Sequence, residues 1–239
     1  MNEATARRSD PSETLVQLTV KALLGHIRDN QLKVGDQLPS ELEFTRLLEV
    51  SRTVVREAFR ALAALKIIEV GVGRRARVAA VDASVMSLTL VNALRTDQLT
   101  MQQVWDVRRT IEMRTVVLAC MHRTERDARD IVQLTELMRD TVDDLPTMTE
   151  YDIEFHVTIA RATRNPLFPI LISSLTSAIR ETNPIVWQVR TKRAEQLEVV
   201  DWHRNIAEAI RDRNTIGAET AMSQHFDEAT RGLVSAGFN

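Results

Sequence analysis

One cysteine in 239 residues, Cys120, leaves no intrachain disulfide and no thiolate metal cluster to build, which sets aside disulfide-stapled domains and redox chemistry. Glycine and proline are also scarce, at 7 and 6, and this tilts a chain of 44% apolar and 27% charged residues towards helix. No stretch approaches the roughly 18 consecutive apolar residues of a membrane span, and Met1 to Pro11 lacks the apolar core of an export signal. The expectation is a cytoplasmic chain, free of membrane, with residues 1–11 as a disordered tail. Neither charge sign dominates. The net charge of −2 divides into +3 through Ala80, from 13 Lys/Arg against 10 Asp/Glu, and −5 thereafter, from 18 against 23. An excess of three is too small to establish nucleic-acid binding, so the placement of the cations decides.

What is present is length enough for two domains, each able to bury a core. Leu15, Leu18, Ala22 and Ile27 recur at helical spacing, and Lys33-Val34-Gly35-Asp36 breaks the pattern. Ser40 stands three residues before Glu43, the pairing of a capping box, so a second helix starts there. It gives way at Glu49-Val50 to Ser51, a further N-cap residue, after which Val55, Ala58, Phe59, Leu62 and Leu65 form an apolar stripe. The reading is helix, tight turn, helix. On the third helix Arg52, Arg56 and Arg60 recur every four residues beside Thr53. A guanidinium can fork onto guanine or neutralise a phosphate, so this face suits a DNA major groove; a solvated charged face is the alternative. Ile67-Ile68-Glu69-Val70 and Ala76-Arg77-Val78 then read as two short strands around Gly71-Val72-Gly73-Arg74-Arg75. That basic tip, with Arg77 behind it, can lie along the DNA backbone or minor groove.

The run from Gly35 to Val78 resembles the winged helix-turn-helix of the GntR regulators, through Leu38-Pro39-Ser40-Glu41, Val50-Ser51-Arg52-Thr53-Val54-Val55-Arg56-Glu57-Ala58 and the Gly73 wing. The resemblance implies that Ser51, Arg52, Thr53 and Arg56 face the operator and that Gly73, with Arg74 and Arg75, brings the wing to the DNA. Two positions depart from the family pattern. Leu42 stands where an arginine is usual, and Lys66 where a glycine usually ends the recognition helix, which puts a side chain at a left-handed cap.

Beyond about Ala83 the periodicity is helical throughout, with segments near 148–163, 166–182, 190–212 and 215–235 following two earlier runs. The fold class is therefore mainly α: a winged helix-turn-helix of three helices and a two-stranded wing over 12–80, then an all-α antiparallel bundle of six or seven helices over 84–235. Asp152 and His156 are four apart and share a helix face, the spacing of a two-ligand metal clip; a surface hydrogen bond is the alternative. His203 and His225 lie in two later amphipathic segments, and all four side chains can converge if those helices pack together. An aspartate with three imidazoles suits zinc first, with nickel or manganese as alternatives. His26 and His122 show no partners and read as surface or packing residues.

This constellation resembles the FCD domain, the effector-binding module of the FadR-like branch of the same family. Arg108-Arg109-Thr110-Ile111-Glu112 is similar to that domain's Arg-x-x-Leu-Glu element, and Asn165 follows Ala160-Arg161-Ala162-Thr163. The resemblance implies a metal on Asp152, His156, His203 and His225, with Arg108 and Asn165 as effector-binding candidates. Arg108 would clamp a carboxylate; its alternative is an interhelical ion pair with Glu112 or another acid. Trp105, Trp187 and Trp202 are cavity or core. The function expected is a homodimeric regulator, a repressor on palindromic double-stranded operator DNA, released by a small organic or sugar acid bound beside the metal. A metal-responsive regulator is the alternative. A metal-dependent hydrolase is disfavoured, because four protein ligands leave little room for a bound nucleophile and Glu154 falls on the wrong helix face to act as base.

Overall fold

In the computed structural model the described residues are 13–188, 190, 192–235 and 237, and the expected tail over 1–11 lies outside them. The chain divides into two compact units between Asp82 and Ala83. In the first, α1 (Leu15–Asp29), α2 (Glu41–Leu48) and α3 (Arg52–Ala64) precede a hairpin of β1 (Ile68–Glu69) and β2 (Arg77–Val78). The Ser40 hydroxyl accepts the Glu43 N–H at 3.2 Å and Glu43 accepts the Ser40 N–H at 2.6 Å, so the capping box starts α2 where its residues foretell. Glu49, at φ 54°, ends α2 in the left-handed region, and Ser51 caps α3 by accepting the Val54 N–H at 3.3 Å. One stripe of α3, Val55, Ala58, Phe59 and Leu62, packs with Leu23, Leu38, Phe44 and Ile68 into the core of this unit. That leaves the opposite stripe of α3 in solvent.

After α3, Lys66 takes φ 56°; its N–H reaches Ala63 O at 3.0 Å, and the Ile67 N–H reaches Leu62 O at 2.9 Å. These two bonds form a Schellman closure, with a lysine where glycine would be unstrained. The hairpin pairs antiparallel, Ile68 with Val78 and Glu69 with Arg77, and the Gly35–Leu38 segment hydrogen-bonds along its second strand. The wing is thereby fixed to the α1–α2 connection.

The second unit holds α4 (Ser84–Arg95), α5 (Met101–His122), α6 (Glu125–Asp140), α7 (Leu145–Ala162), α8 (Leu167–Gln188), α9 (Arg193–Arg211) and α10 (Thr215–Ser235). Helices α5, α6, α7, α9 and α10 surround one core containing Val116, Ile131, Phe155, Ile159, Ile206 and Phe226. A second cluster, with Ile153, Ile172 and Ile179, joins α7 to α8. Three segments differ in extent from their sequence periodicity, one of them α9, which starts three residues late at Arg193. Helix α7 starts three residues early because Asp144 caps it, accepting the Thr147 hydroxyl at 2.6 Å, with Pro146 in the first turn. Helix α8 runs on through Pro184 to Gln188 although proline removes a backbone donor. Among the described residues no helix is long and apolar enough to cross a membrane.

Candidate metal and effector site

The outer face of the first unit carries the cations expected there. Arg52, Thr53 and Arg56 are exposed along α3, and the exposed Ser51 spends its oxygen on the helix cap. Gly73 sits at φ 68° in the wing turn with nothing within 4 Å of where a Cβ would be, so the tip is open on that side. Arg74 and Arg75 are exposed beside it, and Arg75 Nη2 lies 3.3 Å from Glu43 Oε1. Arg77 does not join the tip. Its Nη1 donates to Gly35 O at 2.6 Å, which makes it a brace for the hairpin. Leu42, in the place of the usual arginine, is 45% exposed.

In the second unit, the three late histidines come from three helices and meet. His156 on α7, His203 on α9 and His225 on α10 are all buried, and one ligand atom from each lies within 4.8 Å of the others. The ring centroids are 4.6 Å apart for His203 and His225 and 5.1 Å for His156 and His225. Asp152, one helical turn before His156, brings Oδ1 to 2.8 Å from His203 Nε2 and 3.8 Å from His156 Nε2. Phe155 and Phe226 pack edge-on against these rings and help fix them.

The proton positions follow from what stands behind each ring. His156 Nδ1 meets the Glu112 carboxylate, so that nitrogen carries the proton and Nε2, with no hydrogen-bond partner among the described residues, presents a lone pair. Burial lowers the His156 pKa against the opposing pull of Glu112. His225 has neither ring nitrogen partnered, and burial, then the neighbouring His203 and His156, hold its pKa well below the usual value. Both rings are therefore neutral, the form that binds a metal. His203 donates Nδ1–H to Val199 O at 2.7 Å, leaving Nε2 to Asp152 or to a cation beside it. Burial alone would raise the Asp152 carboxyl, but the His203 hydrogen bond and the nearby His156, His203 and Arg108 outweigh it and hold the group far below the usual carboxylate range. An anionic oxygen, the unengaged lone pairs of His156 and His225, and His203 once a cation takes the place of the proton shared with Asp152 form a donor set that fits a divalent transition metal.

A cavity opens onto this cluster, lined by His203, His225 and Asp152 together with Trp105, Trp187 and Trp202. Two guanidiniums line it. Arg108, 1% exposed, gives Nε to Glu112 Oε1 at 2.6 Å and places Cζ 5.0 Å from the Trp105 ring centroid. Arg190 sets Cζ 5.9 Å from the Trp202 centroid, and burial lowers its pKa. Cations and aromatic rings around a metal-ready cluster suit a small organic anion.

The FCD domain model matches residues 103–228, more than half of the chain, and the model for bacterial regulatory proteins of the gntR family matches 15–78. The chain is a GntR-family transcription regulator. It is a ligand-responsive DNA-binding protein with an FCD effector domain, not an enzyme. Among curated relatives, the HTH-type transcriptional regulator LutR of Bacillus subtilis (strain 168) is 29% identical over 202 residues, covering 83% of this chain and 92% of LutR. The HTH-type transcriptional repressor NanR of Salmonella schwarzengrund (strain CVM19633) is 26% identical over 234 residues, covering 96% of this chain and 88% of NanR. The solved structure of Streptococcus agalactiae GntR superposes with a TM-score of 0.68 at 27% identity, over 90% of this chain and 99% of that one.

Within this regulator the structure brings Asp152, His156, His203 and His225 together, and Asp152, His203, His225 and Arg108 line one cavity. It does not bring Asn165 there. That residue is exposed in the turn before α8, where its Oδ1 accepts the Leu167 N–H at 3.1 Å, so it caps a helix. The alternative ion pair of Arg108 with Glu112 is present within α5 itself, and it coexists with cavity lining. All three tryptophans line the cavity while Trp105, Trp187 and Trp202 also pack on the core. Sequence reasoning passed over Arg190, Thr149 and the role of Glu112 behind His156. For Glu112 a signal existed: it is the acid of the Arg-x-x-Leu-Glu-like element, on the face of α5 that carries Trp105 and Arg108.

Proposed function

We propose that this regulator is a cytoplasmic homodimeric repressor that binds a palindromic operator through Ser51, Arg52, Thr53, Arg56, Gly73, Arg74 and Arg75. A small carboxylic or sugar acid, bound beside a metal on Asp152, His156, His203 and His225, releases it. The observation that carries the reading is a cluster of three buried imidazoles with ligand atoms within 4.8 Å of one another, two of which, His203 and His225, line a cavity that also presents Arg108 and Arg190. The metal, zinc by the donor set, supplies a Lewis-acidic anchor for one carboxylate oxygen. Arg108 holds the anion by a charge-assisted hydrogen bond, and the tryptophans exclude water from it. The cavity favours an organic effector over the metal as the sole signal, since a site that answered only to metal would need no lined space beside its ligands. The repressor name of NanR, matched over nearly the whole chain, supports the sign of regulation.

The test is elemental analysis of purified protein beside a His203→Ala/His225→Ala variant, followed by operator band shifts of both with a panel of acids. The reading expects one metal per chain, lost in the variant, and acid-dependent release from DNA in the metal-loaded protein alone. Metal retained by the variant, or operator affinity that follows free zinc and no acid, overturns it.

A further inference from the structure

The arginines of the first unit's basic surface are of two kinds. Arg52 and Arg56 on α3 and Arg74 in the wing are exposed and hold no ion pair among the described residues. Arg60, Arg75 and Arg77 are engaged within the unit, with Glu57 at 2.8 Å, Glu43 at 3.3 Å and the Gly35 carbonyl at 2.6 Å. Arg60 and Glu57 are neighbours on α3, and Arg77 ends on a neutral carbonyl. Of the three, Arg75 alone crosses from the wing to the start of another helix to meet an acid. Glu43 caps α2 with Oε2, on the Ser40 N–H, and leaves Oε1 to Arg75. The Ser40 bonds and then Arg75 hold its carboxyl below the ordinary value, so it is ionised. The cap itself does not need that charge, since a capping box accepts glutamine as well as glutamate. In this chain Gln17 completes the box of α1 and Gln103 that of α5. Where the third residue is acidic, it also meets a cation: Asp127 pairs with Arg164, Glu195 with Lys192 and Glu43 with Arg75.

The Glu43–Arg75 pair is built to be exchanged. Its side chains are 49% and 53% exposed, and a single contact leaves most of the guanidinium's donors free. Such a pair in water is weak, and a phosphate diester offers the same two anionic oxygens as a carboxylate. The backbone beside Arg75 is fixed, because the Leu38 N–H donates to Ala76 O at 2.8 Å, so the guanidinium can change partner by rotating its side chain while the hairpin stays in place. We propose that Glu43 stands in for a DNA phosphate in the free regulator: it competes for Arg75, and DNA binding hands this guanidinium from the carboxylate to the sugar-phosphate backbone. This rests on the reading above in which the wing arginines meet DNA. Phosphates carry no sequence information, so the competition weakens binding to every sequence alike. Glu43 is thereby a brake on general DNA affinity, which leaves Arg52 and Arg56 on α3, unpaired from the start, a larger share of the discrimination.

The experiment is a double-mutant cycle on the full-length protein, with binding to a fluorescent duplex of arbitrary sequence followed by anisotropy from roughly 50 to 200 mM salt. Glu43→Gln keeps the cap and should leave the unfolding midpoint unchanged. It should bind the duplex about three- to fivefold tighter at the low-salt end, with a log–log salt slope steeper by up to about 0.9, because no bare carboxylate is left behind. Arg75→Gln should bind more weakly than wild type. In that background Glu43→Gln should lose most of its gain, since no guanidinium remains to be released. An equal gain in both backgrounds shows general repulsion between the acid and DNA and overturns the handover. Weaker binding by Glu43→Gln overturns it too, for Glu43 would then orient Arg75 towards the phosphate. If Arg74→Gln weakens binding while neither Glu43→Gln nor Arg75→Gln changes it, the proposal fails and the wing contact stands. If all three variants bind as wild type does, the wing is away from DNA and both fail.

Discussion

At Glu112 one carboxylate meets two demands. Its Oε1 accepts from Arg108 and its Oε2 faces His156 Nδ1, and the group is fully buried. Burial raises its pKa, but Arg108 and His156 more than compensate, so the group stays ionised. It therefore fixes the tautomer of His156, a donor in the proposed metal site, and neutralises Arg108, the proposed effector clamp, together. Glu112→Gln should lower zinc affinity about 10- to 100-fold, the usual effect of removing the acid behind a ligating imidazole. It should also destabilise the metal-free protein by about 3 kcal/mol, since Arg108 is left buried without its counter-charge. Chelator competition measures the first and urea unfolding the second; unchanged zinc affinity would separate Glu112 from the metal site. The histidines themselves were legible because few residue types hold metals and only five histidines occur in the chain. Thr149 and Arg190 carried no such mark, for threonines and arginines are common, and only packing shows which of them line a cavity. Asn165 misled for a related reason: an asparagine after a helix is as well suited to capping the next one, and its exposed side chain does that.

Among elements, a helix start was legible where a capping box writes it in two side chains, while the extent of a helix with no such mark was not. The Ser40 and Glu43 box marks α2, whereas the run of α8 past Pro184 has no local cue. Helix α6 shows how a cap becomes a tertiary joint. Asp127 Oδ2 accepts the Thr124 N–H at 2.7 Å and the Thr124 hydroxyl at 2.8 Å, and it also pairs with Arg164 in the turn between α7 and α8. Burial raises the Asp127 pKa, but the Thr124 bonds and Arg164 outweigh it, so the folded value is lowered. A lowered folded value means that the contribution is present above the unfolded pKa of about 3.9 and is lost as pH falls through the folded value. Asp127→Asn in the metal-free protein should thus cost about 1 kcal/mol at pH 7, the size of a helix cap. The gap to wild type should close once Asp127 is protonated, read as converging unfolding midpoints at low pH. A gap that is constant with pH would assign the effect to packing.

For the whole molecule, a sensor and a DNA-reading unit in one chain are joined thermodynamically. If an acid weakens operator binding by a factor α, the coupling free energy is RT ln α, and the operator must weaken acid binding by the same factor. A tenfold release corresponds to about 1.4 kcal/mol, which the acid supplies only through its preference for one arrangement over the other. The expected outcome is measurable in both directions. A releasing acid titrated into metal-loaded protein, and into the same protein saturated with operator, should give dissociation constants whose ratio equals the ratio of operator affinities with and without saturating acid. Both arms need one fixed salt concentration, because Arg52, Arg56, Arg74 and Arg75 are exposed and contacts of such cations to phosphate weaken steeply as salt rises. Matching ratios would show that the cavity and the DNA face bias one equilibrium. Acid-dependent release with identical acid affinities in the two arms would mean that the binding read by the titration is not the binding that releases DNA, and would remove the cavity from the coupling.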